Sequence, residues 1–284
     1  MKYLLSLKND FVFKLIFGDE KNKDVLVAFL SAVLNMPEEE FQGLEIINTE
    51  LLREFKEDKK GILDVRVKTK FGKQIDIEIQ ILPNAWMAER TLYYWSKMYS
   101  GQIKEGDDYE RLKKCVTINI VDFECVPVKM AHTVFHVTED RTGHKLTDVL
   151  EIHYLELPKL EDEQVRKEDD EIVVDWMMFI DAESEGVMEM LAEKNVGIKK
   201  AYNILKIVSQ DEKARMLYEA RQAELMDQMT RIKEAEKRGR EEGETKRTIE
   251  IAKNLLLAGV DFQTIVATTG LDEAEIVKLK EEQH

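Results

Sequence analysis

"LDVRVKTKFGKQIDIEIQIL", residues 63–82, alternates apolar and polar residues on both sides of "KFGK", the pattern of two half-buried strands joined as a hairpin. In the second strand, "QIDIEIQ" (74–80), the positions facing away from the isoleucines include two carboxylates, Asp76 and Glu78. Acids are poor strand residues, so solvent, a basic partner or a metal ion must offset their placement. With Phe71, Gly72 and Lys73 as the loop, Lys70 pairs with Gln74, Asp64 faces Gln80 and Arg66 faces Glu78. Val65 and Val67 then share one face with Ile75, Ile77 and Ile79, as a one-residue slip would not allow. In this register Asp64 and Glu78 are diagonal neighbours, roughly 7 Å apart at the backbone.

Working outward, "NDFVFKLIFGDEKNKDVLVAFLSAVLNMPEEE" has helical apolar spacing on either side of Gly18, which predicts two helices before the hairpin. "GLEIINTELL" (43–52) is a strand candidate and "REFKEDKKG" (53–61) a turn. After the hairpin come an aromatic-rich helix in "NAWMAERTLYYWSKMYSGQIK", a buried strand in "KKCVTINIVDF", and two further strands in "HTVFHVT" and "VLEIHYLEL". Beyond Pro158 the pattern is helix after helix, including a long polar helix from about Asp211 to Arg238. "KRGREEGETKR" (237–247), with two glycines in a charge run, reads as a hinge or a frayed helix rather than folded core. Short helices separated by Gly259 and Gly270 follow.

A 284-residue chain that is 44% hydrophobic can bury a substantial core. Lysines and Asp10 interrupt the apolar N-terminus, which argues against a signal peptide, and no later stretch has the length of a membrane span, so a cytoplasmic protein is expected. Two cysteines, Cys115 and Cys125, are too few for a disulfide framework or a thiolate zinc site. The net charge of −15 opposes a nucleic-acid partner at first sight. However, residues 131–190 hold 17 acids against 5 bases, whereas residues 1–130 hold 22 against 20. The segment with the hairpin is therefore close to neutral and leaves room for a basic patch.

Two carboxylates on a rigid hairpin suit a hard cation such as magnesium, which takes oxygen ligands and keeps several waters. Such an ion polarises phosphoryl oxygen and activates water. The plainer alternative is a solvated sheet face, with Arg66 and Lys68 neutralising the acids in cross-strand pairs.

"LDVRVKTKFGKQIDIEIQ", preceded by "NDFVFKLIFGDEKNKDVLVAFLSAVL" and followed by "ERTLYYWSKMYSGQIKEGDDYERLKKCVTINIVDF", resembles the Rpn family of recombination-promoting, transposase-like nucleases, within the PD-(D/E)xK superfamily. The resemblance runs from about Asn9 to Phe123; beyond about residue 160 it is compositional only. It implies an α/β restriction-endonuclease-like core, a central mixed sheet flanked by helices, with a helical C-terminal extension. The divisions expected are 1–160 for the nuclease-like domain, 161–238 for a helical extension and 239–284 for a hinge and small helical tail. It also implies a magnesium- or manganese-dependent DNA endonuclease that promotes recombination in mobile-element or phage-defence settings. Asp64 and Glu78 match the superfamily's two metal-binding acids. Gln80 stands where the superfamily usually has lysine, an exchange common in the Rpn family; an amide orients water but brings no charge. The same resemblance brings Lys14 and Asp10 beside the site and offers Arg90, Tyr94 and Lys97 as DNA contacts. These three share one helical face, which is also the pattern of a solvated stripe.

His132 and His136 have the spacing of a helical metal pair but fall on a predicted strand, about 13 Å apart, and are set aside as a zinc site. The tail from Ile249 to Glu282 has the layout of a helix-turn-helix, but acids outnumber lysines in its last helix; a packing or self-association element is expected instead, with the long helix available to pair in a homodimer. The competing functional class is a catalytically inactive DNA-binding or protein-interaction module on the same fold.

Overall fold

A computed structural model describes residues 3–47 and 64–281. The strand expected over 43–52 therefore shows only its start, β1 (Glu45–Ile46), and the turn expected over 53–61 lies outside the described residues. The sheet continues with β2 (Val65–Lys68), β3 (Gln74–Gln80), β4 (Cys115–Val121), β5 (His132–Phe135) and β6 (Leu150–Glu156). Its strand order is β1-β2-β3-β4-β6-β5, with β3, β4 and β6 parallel and the remaining pairs antiparallel. This is the mixed sheet expected, and the helices lie on both of its faces.

Helix α1 (Asp10–Phe17) starts where the Asn9 side chain accepts from the Phe11 and Val12 N–H groups, satisfying two amides that a helix start leaves unpaired. Helix α2 (Lys23–Leu34) stops at Asn35, which turns left-handed at φ 48°. Buried Phe13, Phe17 and Phe29 from these helices pack with Ile75, Ile77, Val116 and Ile118 of the sheet in one core. Trp176 of α5 (Glu171–Asp181) joins it, its ring centroid 6.0 Å from Phe17 and 5.6 Å from Phe29. The opposite face is covered by α3 (Met87–Ser100), whose Met98 and Trp95 pack around Cys115. After a short α4 (Glu163–Glu168) come α5, α6 (Glu185–Lys194) and α7 (Val196–Val208), and all share the sheet's core. Helical periodicity could identify these segments but not which core they enter.

The hairpin register differs from the one expected. Val65 pairs with Ile77, Arg66 with Asp76 and Lys68 with Gln74, two residues away from the predicted alignment. The loop is Lys70, Phe71 and Gly72: Thr69 N–H donates to Lys73 C=O, Gly72 N–H donates to Thr69 C=O, and Gly72 adopts φ 87°. This is the three-residue turn that ends on a left-handed residue. A shift of two residues preserves the faces, so alternation alone is blind to it, and the glycine at the left-handed position decides it. A Cβ on Gly72 would lie 3.0 Å from Lys113 Cγ. Gly72→Val is accordingly expected to lower the unfolding free energy by about 1–2 kcal/mol, measured by urea denaturation.

Helix α8 runs from Glu212 to Leu257, so of the two forms expected for 237–247, hinge or frayed helix, the helical one is found. The chain divides into compact units at 1–222 and 223–284. In the second unit, α9 (Phe262–Thr269) and α10 (Glu273–Glu281) pack with the end of α8 around Ala252, Ile265, Ile276 and Leu279.

On the edge of the sheet, His132 Nε2 lies 2.9 Å from His153 Nδ1. Burial, then the neighbouring His153, hold the His132 pKa down to about 4. The folded state thus keeps His132 neutral where an unfolded histidine, with a pKa near ~6.5, takes up a proton. Stability from this residue is full above the unfolded value and is lost as pH falls from there through the folded value, by about 2–3 kcal/mol. Denaturation curves at pH 7 and pH 4.5 should show that loss, and His132→Phe should flatten it.

Candidate functional site

Asp64 is the residue just before β2, and one step beyond the Val65–Ile77 pair sets it directly across from Glu78. Its Oδ2 accepts the Ile79 N–H at 2.9 Å, and its Oδ1 lies 3.0 Å from Lys14 Nζ. The helix and the hairpin therefore meet at this carboxylate. Glu78 Oε2 is 2.9 Å from Arg90 Nη2, which reaches down from α3. Tyr94, one turn along α3, lies beneath that guanidinium, 4.8 Å from ring centroid to Cζ. Of the eight residues put forward from the sequence, Asp64, Glu78, Lys14, Arg90 and Tyr94 are brought together by these contacts.

Three residues are placed differently. Gln80, at the end of β3, donates from Nε2 to the Leu82 carbonyl at 3.1 Å, which leaves its amide oxygen as an acceptor. Asp10 stays beside the site, where its charge reaches Asp64, but is clasped by Arg221, with Nε at 2.9 Å from Oδ1 and Nη2 at 2.8 Å from Oδ2. Lys97 sits a turn beyond Tyr94, half-buried on α3.

The solvated-face alternative is overturned: Asp76 is 1% exposed and Glu78 4%. Asp76 faces Arg66 across the hairpin and adjoins Thr117 in β4. Asp76 Oδ1, Glu78 Oε1 and Thr117 Oγ1 are buried with no hydrogen-bond partner. Burial lifts the carboxyl pKa of Asp64, against the pull of Lys14, and that of Glu78, against the pull of Arg90. Asp76 is lifted well above the ordinary range by burial, then by the charges of Glu78 and Asp64. Three repelling carboxylates, Asp76 and Glu78 buried and Asp64 half-buried, form a site that an added cation would relieve. The donors are all oxygens, one of them a buried glutamate oxygen without a partner, and this set fits a hard divalent ion held between Asp64 and Glu78.

Sequence reasoning missed two features here. A polar chain runs under α3 from Tyr154 OH to Thr91 Oγ1 (3.1 Å) and from Thr91 Oγ1 to Asn119 Oδ1 (3.1 Å), in the β4 position beside Glu78. Threonine and asparagine in a buried strand and an amphipathic helix gave no signal of it. The other is a group elsewhere: His136, Asp148 and Glu151 each bring one metal-ligand atom within 4.8 Å of the others. Those residues converge from the end of β5 and the start of β6, a juxtaposition with no sequence spacing to reveal it.

The mixed sheet flanked by helices is a PD-(D/E)XK-like core. Residues 7–235 match the family described as PD-(D/E)XK nuclease family transposase, and the chain belongs to that family. Residues 245–281 match a second family, the C-terminal HTH domain of Rpn/YhgA-like nucleases. The tail, whose helix-turn-helix layout is set aside above on charge grounds, is thus similar to a helix-turn-helix family, and the likeness beyond residue 160 is more than compositional. The acidity of α10 argued about its partner rather than its fold. No curated relative and no solved structure matches the chain.

Proposed function

We propose that this chain is a divalent-metal-dependent DNA endonuclease, with Asp64 and Glu78 holding magnesium or manganese. The observation that carries the proposal is the Asp64–Glu78 pair itself, a half-buried and a buried carboxylate across one hairpin, with Lys14 and Arg90 already seated on them. A bound ion would polarise the scissile phosphate and lower the pKa of attacking water. Gln80, whose Nε2 donates to the Leu82 carbonyl, would accept from that water through its amide oxygen and orient it. Lys14 and Arg90 are each held by a site acid; moving from carboxylate to phosphate, they would bind the substrate backbone and offset charge at the reacting phosphorus. Tyr94 supports the Arg90 guanidinium from below, and Lys97, a turn further along the same helix, would contact a neighbouring phosphate.

Two further parts belong to this reading. The cytoplasm is the compartment; among the described residues no helix is long and apolar enough to cross a membrane. Two copies pair through α8, where Leu225, Met229 and Ile232 recur at i, i+4 and i+7 with Met229 and Ile232 exposed.

The deciding experiment is conversion of supercoiled plasmid to nicked and linear forms in magnesium, in manganese and in EDTA. Cutting that requires a divalent ion supports the proposal. Absence of cutting together with absence of Mn2+ binding by calorimetry would leave the inactive module.

A further inference from the structure

The group formed by His136, Asp148 and Glu151 lies away from the proposed nuclease acids. Glu78 is in register with Asn119 of β4 and Tyr154 of β6, so Glu151 is three residues down and two strands across, on the other face of the sheet. The backbone separation is roughly 14 Å. A single ion does not span it.

The contacts within the group are specific. Glu151 Oε2 lies 3.0 Å from His136 Nε2 and 2.7 Å from Lys114 Nζ. Lys114 Nζ also lies 2.9 Å from Asp148 Oδ2, while Asp148 Oδ1 is 3.2 Å from Lys145 Nζ. The other oxygen of Glu151, Oε1, is 3.0 Å from His153 Nε2, and His153 Nδ1 is 2.9 Å from His132 Nε2. An ionised carboxylate only accepts, so His153 donates through Nε2, and its Nδ1 accepts from His132. Glu151 is therefore aimed by a relay of two largely buried imidazoles. Metal-ligating carboxylates are commonly held by outer hydrogen bonds of this sort.

We propose that His136, Asp148 and Glu151 form a second metal site, for a divalent transition ion of the zinc type, in which the Lys114 ammonium holds the cation position when no ion is bound. One imidazole and two carboxylates make a donor set suited to zinc, whereas magnesium favours oxygen ligands and retains its waters. Lys114 bridges Asp148 and Glu151 with a single positive charge, and it swings to solvent with its proton when the ion enters. Lys145 stays on the outer oxygen of Asp148. An ordinary ion-pair network, in which Lys114 pins the start of β4 to the start of β6, makes the opposite prediction for removal of the lysine.

The test is calorimetric titration of zinc chloride into the full chain carrying Glu78→Gln, so that the nuclease acids contribute little. One ion per chain is expected. Adding His136→Ala should weaken binding at least about tenfold. Adding Lys114→Met instead should tighten it about tenfold or more, because two charge-assisted hydrogen bonds no longer compete. Loss of structure cannot imitate a gain in affinity. The proposal is overturned if zinc binds neither the Glu78→Gln protein nor its Lys114→Met derivative, if His136→Ala leaves the affinity unchanged, or if Lys114→Met weakens it.

Discussion

Replacing Glu78 by glutamine is expected to reduce metal-dependent plasmid cutting by about 10³-fold or more while leaving the melting temperature unchanged or higher. The two halves of that result have one cause. Glu78 is 4% exposed, one of its oxygens has no partner, and Asp64 repels it at close range. Removing its charge therefore relieves strain in the resting protein, and the isosteric amide still offers Arg90 an oxygen. For catalysis the same change removes half of the proposed pair of metal ligands, and several kcal/mol of transition-state stabilisation go with the ion, each ~1.4 kcal/mol being a factor of ten in rate. A residue kept for packing shows the reverse, losing stability first. Because burial raises the pKa of both acids, cutting by the parent protein should also fall with decreasing pH sooner than it would with solvated carboxylates. Equal cutting by the parent and Glu78→Gln would assign the activity to another site or another protein.

How far the sequence reveals this site depends on which physical signal each part leaves behind. The isoleucines of "QIDIEIQ" announce a strand with one apolar face, and β3 is that strand. Alternation has a period of two, so it gives the face and misses the register. The correct register depends on Gly72 and brings Asp64 opposite Glu78 instead of diagonal to it. Burial of the acids was equally hidden, because nothing in "NAWMAERTLYYWSKMYSGQIK" tells that its helix lies over them rather than beside them. Asp76 shows the limit most clearly. Polar spacing assigns it to the outward face, and the fold converts that face into an interior one. In the tail, the glycines of "KRGREEGETKR" suggested a break, yet α8 carries both within a helix whose charged neighbours at i, i+4, such as Lys237 and Glu241, support it. For the segment that follows, which matches a helix-turn-helix family, charge is a misleading guide because it is a property of the surface, whereas the small apolar core of Ile265, Ile276 and Leu279 carries the likeness.

The largest stability effect is expected away from both sites, at Glu156. This residue ends β6, is fully buried, and has every oxygen engaged: Oε1 accepts the N–H groups of Cys125 (2.6 Å) and Val126 (3.1 Å), and Oε2 lies 2.5 Å from Lys159 Nζ. Lys159 in turn donates to the carbonyls of Val126 (2.8 Å) and Met130 (3.4 Å). The pair thus fastens the connection between β4 and β5 to the end of β6. Lys159→Met leaves a buried carboxylate facing only two amides, and a loss of about 3–5 kcal/mol is expected. Glu156→Met should lose more than Lys159→Met, since it strands an ammonium and also leaves two backbone N–H groups unpaired. The double variant separates these contributions. With both charges gone the ionic penalty vanishes, so its loss should fall below the sum of the singles, and what persists measures the two amides. Guanidinium denaturation of the four proteins gives that cycle directly. Additive losses would mean that Glu156 and Lys159 act independently, with the backbone contacts alone holding the connection.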